Sequence, residues 1–116
     1  MIQIYHNPRC GKSRNCLAFI KESEKEFEVI NYLENVPKFD ELKSLIQKLN
    51  FEPLALVRQK EKIWIENFKN KPMTNDEIIQ AMVTYPILIE RPIVIKGNKA
   101  IIGRDLDNVT DFLQLN

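Results

Sequence analysis

The segment that most constrains the fold is "PIVIKGNKAII", which occupies positions 92–102. Two runs rich in β-branched residues flank Gly97-Asn98. A two-residue connection of this kind joins antiparallel strands when its glycine adopts a positive φ. The sequence therefore predicts a β-hairpin close to the carboxyl end of the chain.

The amino-terminal third predicts a strand, a helix and a second strand. "IQIY" at 2–5 alternates apolar and polar residues, and an Asn-Pro pair at 7–8 closes it. From Gly11 onward the apolar residues fall on one face of a helix of about three turns. "FEVINYL" at 27–33 is β-rich and reads as a strand parallel to the first, reached by a right-handed crossover.

Helices are predicted for the middle of the chain. A clean amphipathic helix is indicated by apolar residues at helical spacing, namely Leu42, Leu45, Ile46 and Leu49. One or two short helices carry Trp64, and "TNDE" at 74–77 is a capping box ahead of another helix that Pro86 ends. After the hairpin, Asp105 or Asp107 can cap a last helix.

This order predicts an α/β fold with a thioredoxin-like core, in which a βαβ half is followed by a ββα half. The core holds a four-stranded mixed sheet and is interrupted by a helical insertion at about 37–85. Because the apolar faces of the insertion are too small to be buried alone, we expect a single domain over 1–116.

Composition argues against several classes of partner. Seventeen basic residues balance 16 acidic ones, for a net charge of +1, so no strong field favours nucleic acid or an anionic membrane. No apolar run approaches the roughly 20 residues of a membrane span, and the amino terminus does not resemble a signal peptide. We therefore expect a cytoplasmic protein whose two cysteines are thiols, with a monomer as the default.

The chemistry-bearing stretch is "HNPRCGKSR" at 6–14, which holds the single histidine and one of the two cysteines. A phosphate loop would require glycine where His6 stands, and a C-x-x-C redox pair would require cysteine where Ser13 stands. A tyrosine-phosphatase loop would require arginine at the position of Cys16. His6 and the two cysteines also supply too few ligands for a structural zinc site, so no metal is expected.

A single thiol at a strand-to-helix turn is the interpretation that remains. Cys10 lies at or near the N-cap of the first helix, where the amides of Gly11, Lys12 and Ser13 lack helical partners. These donors, the helix dipole and the neighbouring basic groups favour the thiolate, so we expect a lowered pKa for Cys10. The same amides can bind an anion. The alternatives are that Cys10 only caps the helix and that the preceding His-Asn pair only shapes the turn.

In this context the chain resembles the glutaredoxin-coupled arsenate reductase family along essentially its whole length. The resemblance rests on "YHNPRCGKSRN", "NYLE", "VRQK", "YPILIERPIVI" and "IIGR". It implies that the catalytic residues are Cys10, Arg58, Arg91 and Arg104. It further implies a group that binds substrate or tunes the thiolate, consisting of His6, Asn7, Gly11, Lys12, Ser13, Arg14 and Pro92. In thioredoxin-like folds the proline facing the active cysteine is cis, which here is Pro92.

The resemblance also implies a mechanism. Arsenate would be held by the three arginines, and the Cys10 thiolate would attack arsenic to form a covalent adduct. Glutathione as co-substrate and a glutaredoxin as partner would then supply the electrons that convert As(V) to As(III). No tightly bound cofactor is expected, and Cys16 is expected to face the core.

Two other functions stay open at this point. A monothiol at this position could reduce mixed glutathione disulfides, although three clamping arginines would be superfluous for that reaction. Alternatively, Spx-type regulators share the fold and bind RNA polymerase. They commonly carry a C-x-x-C switch where this chain has "CGKS".

Overall fold

The computed structural model describes residues 1–114 and divides the chain into two compact units. The first, called here the sheet unit, comprises 1–35 and the chain from Arg91 onward. The second, the helical unit, comprises 36–90. The expectation that the whole chain forms one domain stays a prediction.

The sheet unit contains a four-stranded mixed sheet flanked by two helices. Its elements are β1 (Ile2–His6), α1 (Gly11–Glu22), β2 (Phe27–Asn31), β3 (Ile93–Lys96), β4 (Lys99–Ile102) and α6 (Leu106–Leu113). The strand order is β2-β1-β3-β4, with β1 parallel to β2 and antiparallel to β3. The predicted βαβ–ββα core is therefore confirmed.

The core of this unit lies where α1 and α6 contribute apolar side chains to those of the sheet. The residues buried together are Ile2, Ile4, Cys16, Ile20, Val94, Val109 and Leu113. Ile2 and Ile4 of β1 both belong to this cluster because alternate side chains of a strand point to the same face. Asp105 caps α6, since its carboxylate accepts a hydrogen bond from the Asp107 N–H at 2.9 Å.

The second strand is shorter than predicted. It ends at Asn31, whereas the sequence pattern predicted a strand through Leu33. The Asn31 carbonyl accepts hydrogen bonds from the N–H groups of Glu34 and Asn35. These bonds turn the chain, so the last two apolar residues of the predicted strand lie in the turn.

The helical unit consists of four α-helices and one 3₁₀ turn. They are α2 (Phe39–Leu49), α3 (Pro53–Leu56), α4 (Lys62–Asn67), α5 (Asn75–Thr84) and the turn Pro86–Leu88. The predicted capping box is present, because Thr74 and Glu77 exchange side-chain to backbone hydrogen bonds of 2.9 and 3.2 Å. No helix within residues 1–114 has the length and apolar character needed to cross a membrane.

The hairpin turn has the geometry that its sequence predicts. Lys96 pairs with Lys99, so Gly97 and Asn98 alone form the connection. Gly97 has a φ of 61°, and a Cβ added there would meet no atom within 4 Å. Glycine is therefore required here by backbone conformation and not by space.

We predict that Gly97→Ala lowers the free energy of unfolding by about 1 kcal/mol, because the left-handed conformation is unfavourable for residues with a Cβ. Asn98→Ala, at a neighbouring position without a positive φ, is the control. Urea unfolding of both variants measures the difference. Equal stability of Gly97→Ala and the parent would contradict the prediction.

Candidate active site

Strand register brings three distant parts of the chain to one end of the sheet. Tyr5 at the end of β1 pairs with Ile93 at the start of β3, and Ile93 pairs with Ile102 at the end of β4. The chain after β1, the chain before β3 and the chain after β4 therefore leave the sheet side by side. These three segments carry Cys10, Arg91 and Arg104, respectively.

The turn between β1 and α1 is held by Asn7, of which only 1% is exposed. Its carbonyl accepts from the Cys10 N–H at 3.1 Å, and its side-chain Oδ1 accepts from the Arg9 N–H at 2.9 Å. Its own N–H donates to Ser13 Oγ at 3.0 Å. These bonds fix the position of Cys10, which is the N-cap residue of α1, as predicted.

His6 forms a buried side-chain hydrogen bond with Ser13. His6 Nδ1 lies 2.7 Å from Ser13 Oγ, and both residues are buried. Burial lowers the pKa of His6 below its ordinary value, and the charges of Arg14 and Lys21 act in the same direction. The imidazole is therefore neutral at pH 7. Ser13 Oγ accepts from the Asn7 N–H and contacts the imidazole at the same time, so this hydroxyl joins His6 to the turn.

The pKa of the Cys10 thiol lies below its ordinary value. Burial acts to raise it, but four donors together outweigh burial. They are the backbone N–H of Ser13, the side chain of Arg91, the backbone N–H of Lys12 and the side chain of Arg104. Ser13 thus acts on the thiolate through its amide, while its hydroxyl serves the turn.

Two arginines lie at this sulfur. Arg91 is buried and precedes Pro92, and the bond between them is cis, as predicted. Arg104 is exposed, and its Nη1 lies 3.9 Å from Cys10 Sγ and donates to the Arg91 carbonyl at 3.0 Å. The Cys10 thiol and two guanidinium groups from distant segments therefore share one site.

The remaining predicted residues of the turn occupy different environments. Gly11 and Lys12 are exposed in the first turn of α1. Arg14 folds back, and its Nη1 donates to the Pro8 carbonyl at 3.0 Å, so its side chain braces the turn. Within residues 1–114, no three His, Cys, Asp or Glu side chains form a group that could hold a metal ion.

Arg58 belongs to the helical unit and is held there by two carboxylates that the sequence analysis missed. Its Nε donates to Glu61 at 3.0 Å and its Nη1 to Glu90 at 2.7 Å. Burial opposes the charge of Arg58, but the two glutamates outweigh it and raise its pKa. The i,i+3 spacing of Arg58 and Glu61 could have revealed one pair, whereas Glu90 required the fold. Convergence of Arg58 with the other arginines stays a prediction.

Cys16 is fully buried in the core of the sheet unit, as expected. Burial raises the pKa of its thiol to about 11. At neutral pH this thiol is protonated and inaccessible. The two cysteines therefore have opposite chemical properties, although they lie six positions apart.

Comparison with known proteins gives a consistent picture. A model described as the ArsC family matches residues 5–112. An arsenate reductase of Neisseria meningitidis serogroup A is 38% identical over 114 residues, which covers 97% of each chain. An arsenate reductase of Escherichia coli is 40% identical over 114 residues, covering 97% of this chain and 81% of that relative.

The fold of the chain is also similar to that of solved arsenate reductase structures. The solved structure of an arsenate reductase from Vibrio cholerae superposes with a TM-score of 0.89 at 39% identity. The match covers 99% of this chain and 97% of that one. This likeness confirms the predicted thioredoxin-like fold.

We predict that iodoacetamide alkylates Cys10 of the native protein at neutral pH and spares Cys16. The rate should fall as the pH falls, because protonation removes the thiolate, with a midpoint below the ordinary value of about 8.5. Mass spectrometry of the labelled protein measures both sites. Cys16→Ser should label like the parent and Cys10→Ser should not label. A midpoint at or above the ordinary value would contradict the lowered pKa.

We also predict that stability declines between pH 7 and 5.5. The unfolded chain protonates His6 near its ordinary pKa of about 6.5, whereas the folded protein resists this protonation. The free energy of unfolding should therefore fall with the pH, by up to about 1.4 kcal/mol per unit. Since the chain has a single histidine, His6→Gln should flatten the dependence in denaturant titrations. An unchanged slope in this variant would show that His6 is not responsible.

Proposed function

The chain belongs to the ArsC family, and we propose that it is an arsenate reductase that converts As(V) to As(III) through the thiolate of Cys10. The observation that carries the proposal is the meeting of this low-pKa thiolate with Arg91 and Arg104. Two guanidinium groups suit a tetrahedral oxyanion, because their paired N–H donors match its oxygen atoms. The names of the relatives support the same substrate.

The first step is covalent and leaves arsenic in its oxidised state. Arsenate binds against Arg91 and Arg104. Their positive charges reduce the electrostatic repulsion between the thiolate and the oxyanion. The sulfur of Cys10 forms a bond to arsenic while one As–O bond breaks, and the departing hydroxyl leaves as water after taking a proton. The amides of Lys12 and Ser13, which stabilise the thiolate beforehand, keep the sulfur at the attacking position.

The electrons come from two external thiols. Glutathione forms a bond to arsenic while a second As–O bond breaks and a second water leaves. A glutaredoxin thiol then attacks the glutathione sulfur and breaks its bond to arsenic. The two thiols lose two electrons and become a mixed disulfide, while arsenic gains these electrons and becomes As(III), still bound to Cys10. Water takes the place of the Cys10 sulfur on arsenic, so arsenite is released and Cys10 is regenerated as the thiolate. The burial of Cys16 and its pKa of about 11 support an outside source for the second sulfur.

Arg58 would be the third arginine of the oxyanion site. Its contacts with Glu61 and Glu90 occupy Nε and Nη1. An oxyanion would therefore bind at Nη2, at the second N–H of Nη1, or in place of one glutamate. The carboxylates fix the direction of the guanidinium, which reduces the entropy lost when substrate binds.

The other predicted residues have supporting roles in the proposal. His6, Asn7 and Arg14 hold the turn, Gly11 leaves its surface open, and Pro92 presents the segment that carries Arg91. No tightly bound cofactor takes part, and we propose that the protein acts as a cytoplasmic monomer.

We predict that arsenate-dependent NADPH oxidation, coupled through glutathione, glutathione reductase and a glutaredoxin, requires Cys10. Cys10→Ser should abolish turnover and Cys16→Ser should retain it. Arg91→Ala should lower kcat/KM about a hundredfold, because it removes a charged donor at the reacting oxyanion. Arg9→Ala, which removes an exposed charge beside Cys10, should change kcat/KM by less than about threefold.

The same assay distinguishes the competing functions. A folded parent without activity toward arsenate, across several glutaredoxins, would overturn the proposal. Cys10-dependent reduction of a mixed glutathione disulfide by that protein would indicate a monothiol oxidoreductase. Retention by purified RNA polymerase would instead indicate a regulator.

A further inference from the structure

Cys16 has no part in the proposed chemistry, yet its sulfur lies against Gly103, the residue that precedes Arg104. A Cβ added at Gly103 would lie 2.9 Å from Cys16 Sγ, 3.0 Å from Val94 Cγ2 and 3.4 Å from Pro92 Cγ. The first two distances are shorter than side chains tolerate without movement. Gly103 has no positive φ, so glycine is required here by space and not by backbone conformation.

Gly103 is held tightly in this position. It is buried, and its N–H donates to the Pro92 carbonyl at 2.8 Å. This bond continues the β3–β4 pairing by one step beyond the Ile93–Ile102 pair. The backbone of Gly103 is therefore fixed by this hydrogen bond, and Cys16 Sγ occupies the space that a Cβ at this position would need.

The helix α1 carries both cysteine sulfurs. Cys10 is its N-cap residue and Cys16 lies in its interior, facing the core. Arg104 directly follows Gly103, and its Nη1 reaches Cys10 Sγ at 3.9 Å. A steric clash between the side chains at positions 103 and 16 would therefore move Arg104 away from α1, the helix whose N-cap residue is Cys10.

We propose that Gly103 is a positioning residue that acts through Arg104. Because glycine at 103 lets the end of β4 approach Cys16, the guanidinium of Arg104 reaches both the Arg91 carbonyl and the sulfur of Cys10. Cys16 is the other half of this contact, and its small side chain sets how closely the segment can approach. The inference extends the proposed function, but its main readout, the state of the Cys10 thiol, does not require arsenate turnover.

Added volume on either side of the contact should have the same effect. Gly103→Ala adds a methyl group on the β4 side, and Cys16→Val adds one on the α1 side. A displacement of a few tenths of an ångström would lengthen the 3.9 Å contact, which is already long for a hydrogen bond. We therefore expect each variant to weaken the stabilisation of the Cys10 thiolate.

The experiment is the pH profile of Cys10 alkylation by iodoacetamide, read by mass spectrometry. The midpoint should move upward in Gly103→Ala and in Cys16→Val, and kcat/KM for arsenate should fall roughly threefold to tenfold. The control is Gly97→Ala, a glycine replaced where space is open; its midpoint should stay at the parent value even though its stability falls.

A double-mutant cycle separates positioning from general packing. In an Arg104→Met background the guanidinium is absent, so Gly103→Ala should move the midpoint no further. The double variant Gly103→Ala/Cys16→Ala removes the 2.9 Å contact and should recover part of the parent profile. If Gly103→Ala does not fold, Cys16→Val takes its place in the comparison.

The proposal is overturned if folded Gly103→Ala and Cys16→Val keep the parent midpoint. It is also overturned if Gly103→Ala moves the midpoint equally with and without Arg104. A parent that lacks arsenate turnover but shows the expected shifts would refute the proposed function alone, and the positioning role would stand.

Discussion

The pairing of β1 with β3, and of β3 with β4, is the constraint on which the candidate site depends. The register that pairs Tyr5 with Ile93 and Ile93 with Ile102 places three chain segments side by side through backbone hydrogen bonds. The side chains then add the finer contacts, such as that between Arg104 and the Arg91 carbonyl. A slip of one residue would turn every side chain of a strand to the opposite face, so fold stability and site geometry have the same origin.

The surroundings of Cys10 favour its charged form, whereas those of His6 favour its neutral form. Backbone amides and two guanidinium groups stabilise a negative charge on Cys10. The nearby imidazole of His6 is kept neutral by burial and by neighbouring cations. His6 therefore adds no charge to the site at neutral pH, and its contribution is to hold Ser13 and the turn. A buried polar network of this kind rigidifies the site at which it lies.

The sequence was sufficient for the features that depend on neighbouring residues. Apolar periodicity predicted α2, the capping motif predicted the start of α5, and the Gly-Asn pair predicted the hairpin turn. The position of Cys10 at a helix start followed from the same local patterns, and the family resemblance indicated which arginines to examine. The predicted end of β2 was wrong because the strand stops at a hydrogen-bonded turn at Asn31, which the side-chain pattern does not reveal.

Features that join distant positions could not be read from the sequence. The contact of Gly103 with Cys16 spans most of the chain and depends on strand register, and the pairing of Arg58 with Glu90 depends on the β-bridge between Val57 and Ile89. The bond between His6 and Ser13 spans only seven positions, but it requires the geometry of a turn. In each case the residue type was visible, while the partner was a property of the tertiary structure.

The opposite environments of the two cysteines have a consequence for the newly made chain. Before the sheet forms, Cys10 and Cys16 are ordinary thiols with similar acidity and similar access to oxidants. Folding makes the two thiols chemically different. Cys10 gains amide and guanidinium donors, whereas Cys16 loses its contact with water. Selective reactivity at one sulfur is thus produced by folding itself, and it appears only in molecules that have completed the strand pairing.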